Sequence, residues 1–121
     1  MMSAAEADSK SPRFAPSTGR KVIFTSLADA QALAAQGPVV LFFAADWCPT
    51  CIGALRDINA NGSRLGDITV VVVDYDSASD LKSRYGVTSQ HTSVQIDAGA
   101  GRLAAWNGGG VDAILRNTRK G

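Results

Sequence analysis

Two uninterrupted apolar runs restrict the folds open to this chain. Residues 39–45 read VVLFFAA and residues 68–73 read ITVVVV. Both runs are rich in β-branched or aromatic residues and too short for typical helices, as expected of strands buried on both faces. Apolar residues recur every three positions between them, at Ile52, Leu55 and Ile58, which predicts a helix that ends near Gly62. Strand, helix and strand in this order predict a parallel βαβ unit with residues 39–45 in a central strand.

The segments before and between these runs predict further elements. Residues 22–24 suit a short strand, and Ser26 with Asp29 three residues later resembles a capping box that starts a helix. Gly37-Pro38 then ends that helix. Ser77 with Asp80 predicts a second capped helix, which ends at Gly86.

The C-terminal third has a different pattern. Residues 92–97 and 102–106 are short strand-like stretches joined by Ala-Gly-Ala-Gly, which predicts an antiparallel hairpin. Three glycines at 108–110 break the hairpin. A last amphipathic helix follows, with Val111, Ile114 and Leu115 on its apolar side and basic residues toward its end at Arg116, Arg119 and Lys120.

Length and charge narrow the class of protein. The 121 residues suit one domain; 45% are hydrophobic and 19% charged, which is a globular composition. We expect a flexible leader over residues 1–20 and the domain over 21–121. The net charge of +1 with scattered basic residues argues against nucleic-acid or anionic-membrane partners, and no stretch approaches the roughly 18 apolar residues that span a bilayer. We expect a monomer that is cytoplasmic as written, or an exported protein that lacks its signal peptide.

The only two cysteines lie in Asp46-Trp47-Cys48-Pro49-Thr50-Cys51, where the first apolar run ends and a helix begins. Residues three apart on a helix are neighbours, so a small adjustment brings the two sulfurs to bonding distance. Pro49 suits the first helical position, which places Cys48 at the cap beside free backbone N–H groups. Such a position favours the thiolate, and we assign Cys48 as the more exposed attacking thiol and Cys51 as the resolving thiol.

Two other roles for the pair are weaker. A purely structural disulfide between Cys48 and Cys51 would close a very short loop and add little stability. A closed zinc site needs four ligands, whereas the chain offers these two cysteines and its single histidine, His91. We therefore expect no resident metal and no cofactor.

Taken together, these features resemble the thioredoxin family from about Val22 to Arg119. The strand-Trp-Cys-x-x-Cys-helix junction resembles the family's active site, and Tyr85-Gly86-Val87 followed by Thr92 resembles its approach to the substrate loop. Gly109 falls where the family keeps a glycine beside the active site. The resemblance implies an α/β thioredoxin-like fold, a central mixed sheet of four to five strands flanked by about four helices.

The sequence departs from the family in three places. Pro49-Thr50 replaces the usual Gly-Pro between the cysteines, and Phe42 and Val72 stand where thioredoxins carry a buried Asp and a Lys near the resolving cysteine. The usual proton acceptor is therefore missing. The family's cis-proline is replaced by His91, so the Gln90–His91 bond is either trans with a reshaped loop or cis and strained.

We expect the imidazole of His91 to lie close to Cys48. It could stabilise the thiolate as a cation, shuttle protons, join both sulfurs as a metal ligand, or be a tolerated polar residue at the rim. Trp47 is expected to form an apolar lip that docks polypeptides, or simply to pack. Pro49, Thr50 and Thr92 complete the expected neighbours of the site.

The resemblance implies a thiol–disulfide oxidoreductase that acts on protein disulfides, with a redox partner protein and a role in electron transfer and redox homeostasis. Its direction, reductant or oxidant, stays open. The alternatives are a redox-sensing or metal/iron–sulfur-binding module that uses Cys48, Cys51 and His91, and an interaction module with an idle cysteine pair.

Overall fold

The computed structural model describes residues 21–119. The predicted leader, Lys120 and Gly121 lie outside the described residues. Residues 21–119 form five strands and four α-helices, and a 3-10 turn at Gly62–Leu65 extends the second helix. In chain order they are β1 Lys21–Ile23, α1 Leu27–Ala34, β2 Val39–Ala44, α2 Pro49–Asn61, β3 Thr69–Asp74, α3 Ser79–Tyr85, β4 Thr92–Ile96, β5 Arg102–Asn107 and α4 Val111–Asn117.

The strands form one mixed sheet in the order β1-β3-β2-β4-β5. Strand β3 pairs in parallel with β1 and β2, whereas β4 is antiparallel to both β2 and β5. The parallel βαβ unit, the C-terminal hairpin and the central position of β2 are confirmed. Every residue of β2 is buried, as its uninterrupted apolar run predicts.

Alternating side chains of β2 point to opposite faces of the sheet and build two cores. Val40, Phe42 and Ala44 join one cluster with α2, α4 and both cysteines. Val39, Leu41 and Phe43 join the other, with side chains from α1 and α3. This two-sided burial follows from the two-residue period of a strand. It also places the cysteines on the same face of the sheet as Phe42.

The helix boundaries agree with the sequence at most ends. The Ser26 hydroxyl accepts the Asp29 N–H at 3.1 Å and caps α1. Gly86 ends α3 with a left-handed φ of 69°. The predicted cap of α3 is wrong: the helix starts at Ser79, because the Ser77 hydroxyl donates to the Asp74 carboxylate at 3.0 Å instead.

The predicted apolar side of α2 is also partly wrong, because Ile52 is 38% exposed. A step of three residues falls short of a helical turn by about 60°, so positions 52, 55 and 58 drift around the helix. The buried positions are Cys51, Ala54, Leu55 and Ile58, whose mixed spacing of three and four follows one face. On α4, likewise, Val111 and Ile114 are buried whereas Leu115 is exposed.

No helix within residues 21–119 is long and apolar enough to cross a membrane.

Candidate active site

Cys48 lies at the N-cap of α2, directly after central strand β2. Its backbone is extended, with φ −100° and ψ 108°, and Pro49 takes the first helical turn. Proline suits this position because its missing N–H would have no helical partner there. The Cys48 N–H donates to the Ala45 carbonyl at 3.2 Å, which holds the turn between strand and helix.

The Cys48 sulfur is surrounded by hydrogen-bond donors. It accepts the Cys51 N–H at 3.2 Å and lies 3.1 Å from the Thr50 hydroxyl. Burial raises the pKa of Cys48, but hydrogen bonds from the Cys51 thiol, the Thr50 hydroxyl, the Cys51 backbone and the Gln90 side chain outweigh it, so the net pKa is lowered. The site therefore favours the thiolate at Cys48.

Cys51 has the opposite character. It lies one turn inside α2 with no exposed surface. Burial, together with its hydrogen bond to Cys48, raises the pKa of Cys51 to about 12, although the backbone at Ala45 and His91 offers partial stabilisation to its thiolate. Two thiols three residues apart thus have pKa values shifted in opposite directions.

Both cysteines are free, so the structure describes the dithiol state. The hydrogen bond between the two thiols places the sulfurs close enough for a local adjustment to join them. The expected difference in exposure is small, since Cys48 is 2% exposed and Cys51 is not exposed at all. The Cys48 side chain is therefore almost as buried as that of Cys51.

Trp47 lies on the surface next to Cys48, at the start of α2. Its side chain is 56% exposed, and its Nε1–H donates to Asp76 at 2.8 Å. Asp76 follows β3, so this contact joins the loops after the two central parallel strands. Pro49 and Thr50 are exposed as well. Together with Ile52 they form a partly apolar rim around Cys48.

His91 occupies a trans loop. No peptide bond within residues 21–119 is cis, and His91 adopts a left-handed φ of 63°. Histidine is one of the few non-glycine residues enriched in that region, at a cost of about 1–3 kcal/mol. Two backbone hydrogen bonds hold His91. Its N–H donates to the Phe43 carbonyl at 2.8 Å, and the His91 carbonyl accepts the Gly108 N–H at 2.6 Å.

The His91 imidazole makes no hydrogen bond to Cys48 through Nδ1. It meets the edge of the Phe42 ring at 5.7 Å between centroids, and its Nδ1 is buried without a hydrogen-bond partner. Burial lowers the pKa of His91, so the ring is neutral at pH 7 and does not act on Cys48 as a cation. The neighbouring Gln90 side chain, by contrast, helps to lower the pKa of Cys48. Sequence reasoning missed Gln90, because the turn of this loop depends on contacts with β2 and β5.

The Thr92 side chain makes its hydrogen bonds with the loop and with β5. Its hydroxyl donates to the Ser89 carbonyl at 2.8 Å, and the Asn107 amide approaches the Thr92 hydroxyl at 3.4 Å. These contacts tie the end of the loop to the two strands of the hairpin. The loop is therefore held by β2, by the hairpin and by the segment after β5.

Phe42 and Val72 are buried in the core beneath the site, as their apolar side chains predict. Phe42 leaves no room at Gly109, where an added Cβ would lie 2.6 Å from two ring carbons. A residue without a Cβ is therefore needed at position 109 to leave space for the Phe42 ring. No carboxylate and no lysine contributes to the pKa of Cys51.

Metal ligands are not gathered at this site. Within residues 21–119 no three His, Cys, Asp or Glu side chains are placed to hold a metal ion, Cys48, Cys51 and His91 included. The iron–sulfur and metal alternative therefore has no support from the arrangement of these side chains.

No protein-family model and no curated protein sequence matches the chain. Solved structures do match. Thioredoxin NaTrxh from Nicotiana alata is 25% identical, over 86% of this chain and 97% of its own, with a TM-score of 0.65. A mutant thioredoxin from Halobacterium salinarum is 20% identical, over 84% of this chain and 90% of its own, with a TM-score of 0.66. Trxlp from Edwardsiella tarda is 24% identical, over 78% of this chain and 92% of its own, with a TM-score of 0.61. The five-stranded mixed sheet with its four helices, and the CxxC pair at the start of α2, make this chain a thioredoxin-fold protein.

Proposed function

We propose that this protein is a thiol–disulfide oxidoreductase that acts on protein disulfides through Cys48 and Cys51. The thioredoxin fold of its structural neighbours and the CxxC pair support thiol–disulfide exchange in general. The exposed Trp47 and the rim around Cys48 support a polypeptide substrate, since an indole with one apolar face suits a protein interface. A second, dithiol-containing redox partner would return the oxidised pair to its dithiol form.

In the first step the Cys48 thiolate attacks one sulfur of the substrate disulfide. A Cys48–substrate disulfide forms, the substrate S–S bond breaks, and the other substrate sulfur leaves as a thiolate that takes a proton. The donors around Cys48 support this step because they lower the pKa of its thiol and so favour the attacking thiolate.

In the second step Cys51 loses its proton and attacks the Cys48 sulfur. A Cys48–Cys51 disulfide forms and the substrate sulfur leaves with the electron pair of the broken bond, so two electrons pass from the pair to the substrate. The proton that Cys51 loses and one proton from solvent balance the two substrate thiols. In the dithiol a pKa of about 12 leaves about one Cys51 thiol in 10⁵ ionised at pH 7. Cys48 no longer raises this pKa once it is part of the mixed disulfide, but burial, the largest cause, still does. We therefore expect the second step to be slower than the first.

The observation that carries the proposal is the opposite shift of the two thiols. Cys48 is capped by the Cys51 N–H and its pKa is lowered, while the pKa of Cys51 is raised. A structural disulfide requires no such difference. An attacking and a resolving thiol do, because the first must ionise before contact and the second must stay protonated until the mixed disulfide has formed.

Trapping of the mixed disulfide tests the proposal. Cys51→Ser, incubated with an oxidised test protein such as insulin, is expected to form a reducible covalent adduct at Cys48, because no second thiol resolves it. The matched control is Cys48→Ser, whose remaining thiol is buried and protonated. The wild-type dithiol should reduce the same disulfide catalytically with a dithiol reductant. Equal trapping by the two variants, or none by either, would contradict the assignment.

One observation favours a redox-sensing role as the second candidate. Phe42 and Val72 provide no proton acceptor near Cys51, and slow resolution suits a protein that reports oxidation rather than one that turns over rapidly. A sensor would show oxidation of the pair by a mild oxidant with less than one turnover of protein disulfide per minute. Fast catalytic turnover would exclude this candidate.

A further inference from the structure

Three consecutive glycines, residues 108–110, connect β5 to α4 and form a glycine segment. Gly108 and Gly110 have positive φ values of 140° and 88°, and with its ψ of 160° Gly110 lies in a region that essentially only glycine adopts. Gly109 has no room for a Cβ beside the Phe42 ring. Glycine loses more conformational freedom on folding than any other residue, so this segment depends on outside contacts for a fixed shape.

The glycine segment holds the loop at His91. The Gly108 N–H donates to the His91 carbonyl at 2.6 Å, and the Gly108 carbonyl accepts the Ser93 hydroxyl at 2.7 Å. The His91 ring packs on Phe42, which lies in the same buried cluster as both cysteines. A displacement of the glycine segment would therefore be passed to the loop on the cysteine side of the sheet.

Asp57 fixes the other end of the glycine segment. Its Oδ2 accepts the N–H of Val111, the first residue of α4, at 2.8 Å, and this contact joins residues 54 positions apart in the chain. Its Oδ1 accepts the Asn61 side-chain amide at 2.7 Å, so both carboxylate oxygens are engaged. The first N–H groups of a helix have no partner within the helix, and Gly110 at the N-cap has no side chain to offer one. Asp57 therefore supplies the cap of α4 from a distant part of the sequence.

We propose that Asp57 is a positioning residue that, through the glycine segment, keeps the loop at His91 in place beside the active-site cysteines. This inference rests on the proposed function. Asp57 lies on α2, the helix that begins directly after Cys48, so its carboxylate ties that helix to the glycine segment. Without this contact the glycine segment would gain conformational freedom, and the loop would lose its fixed place relative to α2.

The place of this loop matters to the attacking thiol. The Gln90 side chain, next to His91, helps to lower the pKa of Cys48. A loop that moves away takes this group with it, so the pKa of Cys48 should rise. Fewer Cys48 thiols would then be ionised at neutral pH for the attack on a substrate disulfide.

Hydrogen exchange of two backbone amides, measured by NMR, tests the inference in Asp57→Ala. The Gly108 N–H is expected to exchange with solvent about tenfold faster than in wild type, which is the effect of losing about one helix cap. The Asp97 N–H, which donates to the Gly101 carbonyl at 2.9 Å at the other end of the β4–β5 hairpin, should keep its rate. A general loss of stability would instead speed the exchange of both amides.

The pH profile of Cys48 alkylation shows whether the loop acts on the thiol. The profile is expected to shift to higher pH in Asp57→Ala. It should stay near wild type in Asp57→Asn, whose amide oxygen can still accept the Val111 N–H. The matched control is Asn61→Ala, which removes only the second hydrogen bond of Asp57 and should leave both the profile and the Gly108 exchange unchanged.

Unchanged Gly108 exchange in Asp57→Ala, or an unchanged Cys48 profile, overturns the inference. If that variant does not fold, Gly110→Ala disturbs the same link, because its Cβ would lie 3.1 Å from the Asp57 Oδ2 atom, and the same two results decide. A wild-type protein that does not reduce insulin disulfides would instead refute the proposed function. The exchange measurement does not depend on that activity, so the two failures are distinguishable.

Discussion

Substitution of Gly109 by alanine tests how tightly the core beneath the active site is matched. The new Cβ would lie 2.6 Å from two ring carbons of Phe42 and 3.0 Å from the Ala54 Cβ, against an ordinary carbon–carbon contact of about 3.5–4.0 Å. The ring would have to move by about 1 Å. Gly109 does not have a positive φ, so the expected cost comes from this overlap and not from backbone strain.

The ring has little freedom to move. Phe42 has no exposed surface, and its backbone is paired with Val72 on one side and Ser93 on the other. Overpacking of such a site typically costs about 1–3 kcal/mol. We therefore expect Gly109→Ala to lower the free energy of unfolding by about that amount, with a fall in Tm of about 4–8 °C for each kcal/mol.

Urea denaturation of the dithiol form measures the effect. The matched control is Gly53→Ala on α2, where the added Cβ has nothing within 4 Å and the helix should gain about 0.5–1 kcal/mol. Phe42→Leu should offset part of the cost of Gly109→Ala in a double-mutant cycle, because the smaller side chain removes the overlap. A Gly109→Ala protein as stable as wild type, or costs of the two substitutions that simply add, would refute the packing argument.

Two further predictions concern the site and the chain end. Thr50→Val removes the hydroxyl that lies 3.1 Å from the Cys48 sulfur and helps to lower its pKa, so the pKa of Cys48 should rise. The pH dependence of Cys48 alkylation measures this shift, Thr50→Ser should leave it near wild type, and an unmoved profile in Thr50→Val would show that the hydroxyl does not stabilise the thiolate. Gln95→Leu removes two 2.7 Å hydrogen bonds between its buried amide and the backbone of Arg119, so the free energy of unfolding should fall by about 1–3 kcal/mol in urea. No loss of stability there would mean that this end of the chain is not anchored by Gln95.

Local sequence patterns were enough for much of the fold and for the two sulfurs. Apolar runs without a polar break predicted β2 and β3, and the helical spacing between them predicted the parallel unit. Pro49 after Cys48 predicted the N-cap, because both the proline preference and the cysteine's position depend only on residues within one turn. The prediction for Ile52 was wrong because tertiary packing decides which face of α2 is buried. The prediction for Ser77 was wrong because its hydroxyl donates to Asp74 instead of capping α3.

The chemistry around the sulfurs depended on contacts between residues far apart in the chain. The His91 ring packs against Phe42, and Gln90 helps to lower the pKa of Cys48, in a loop whose backbone is held by β2 and by the segment after β5. Gly109 is required by a ring more than sixty positions earlier in the sequence. The sequence alone determined the strand-to-helix junction and the spacing of its thiols, since these are local. Only the packed sheet decided which groups surround each thiol, and hence that the pKa of Cys48 is lowered and that of Cys51 is raised.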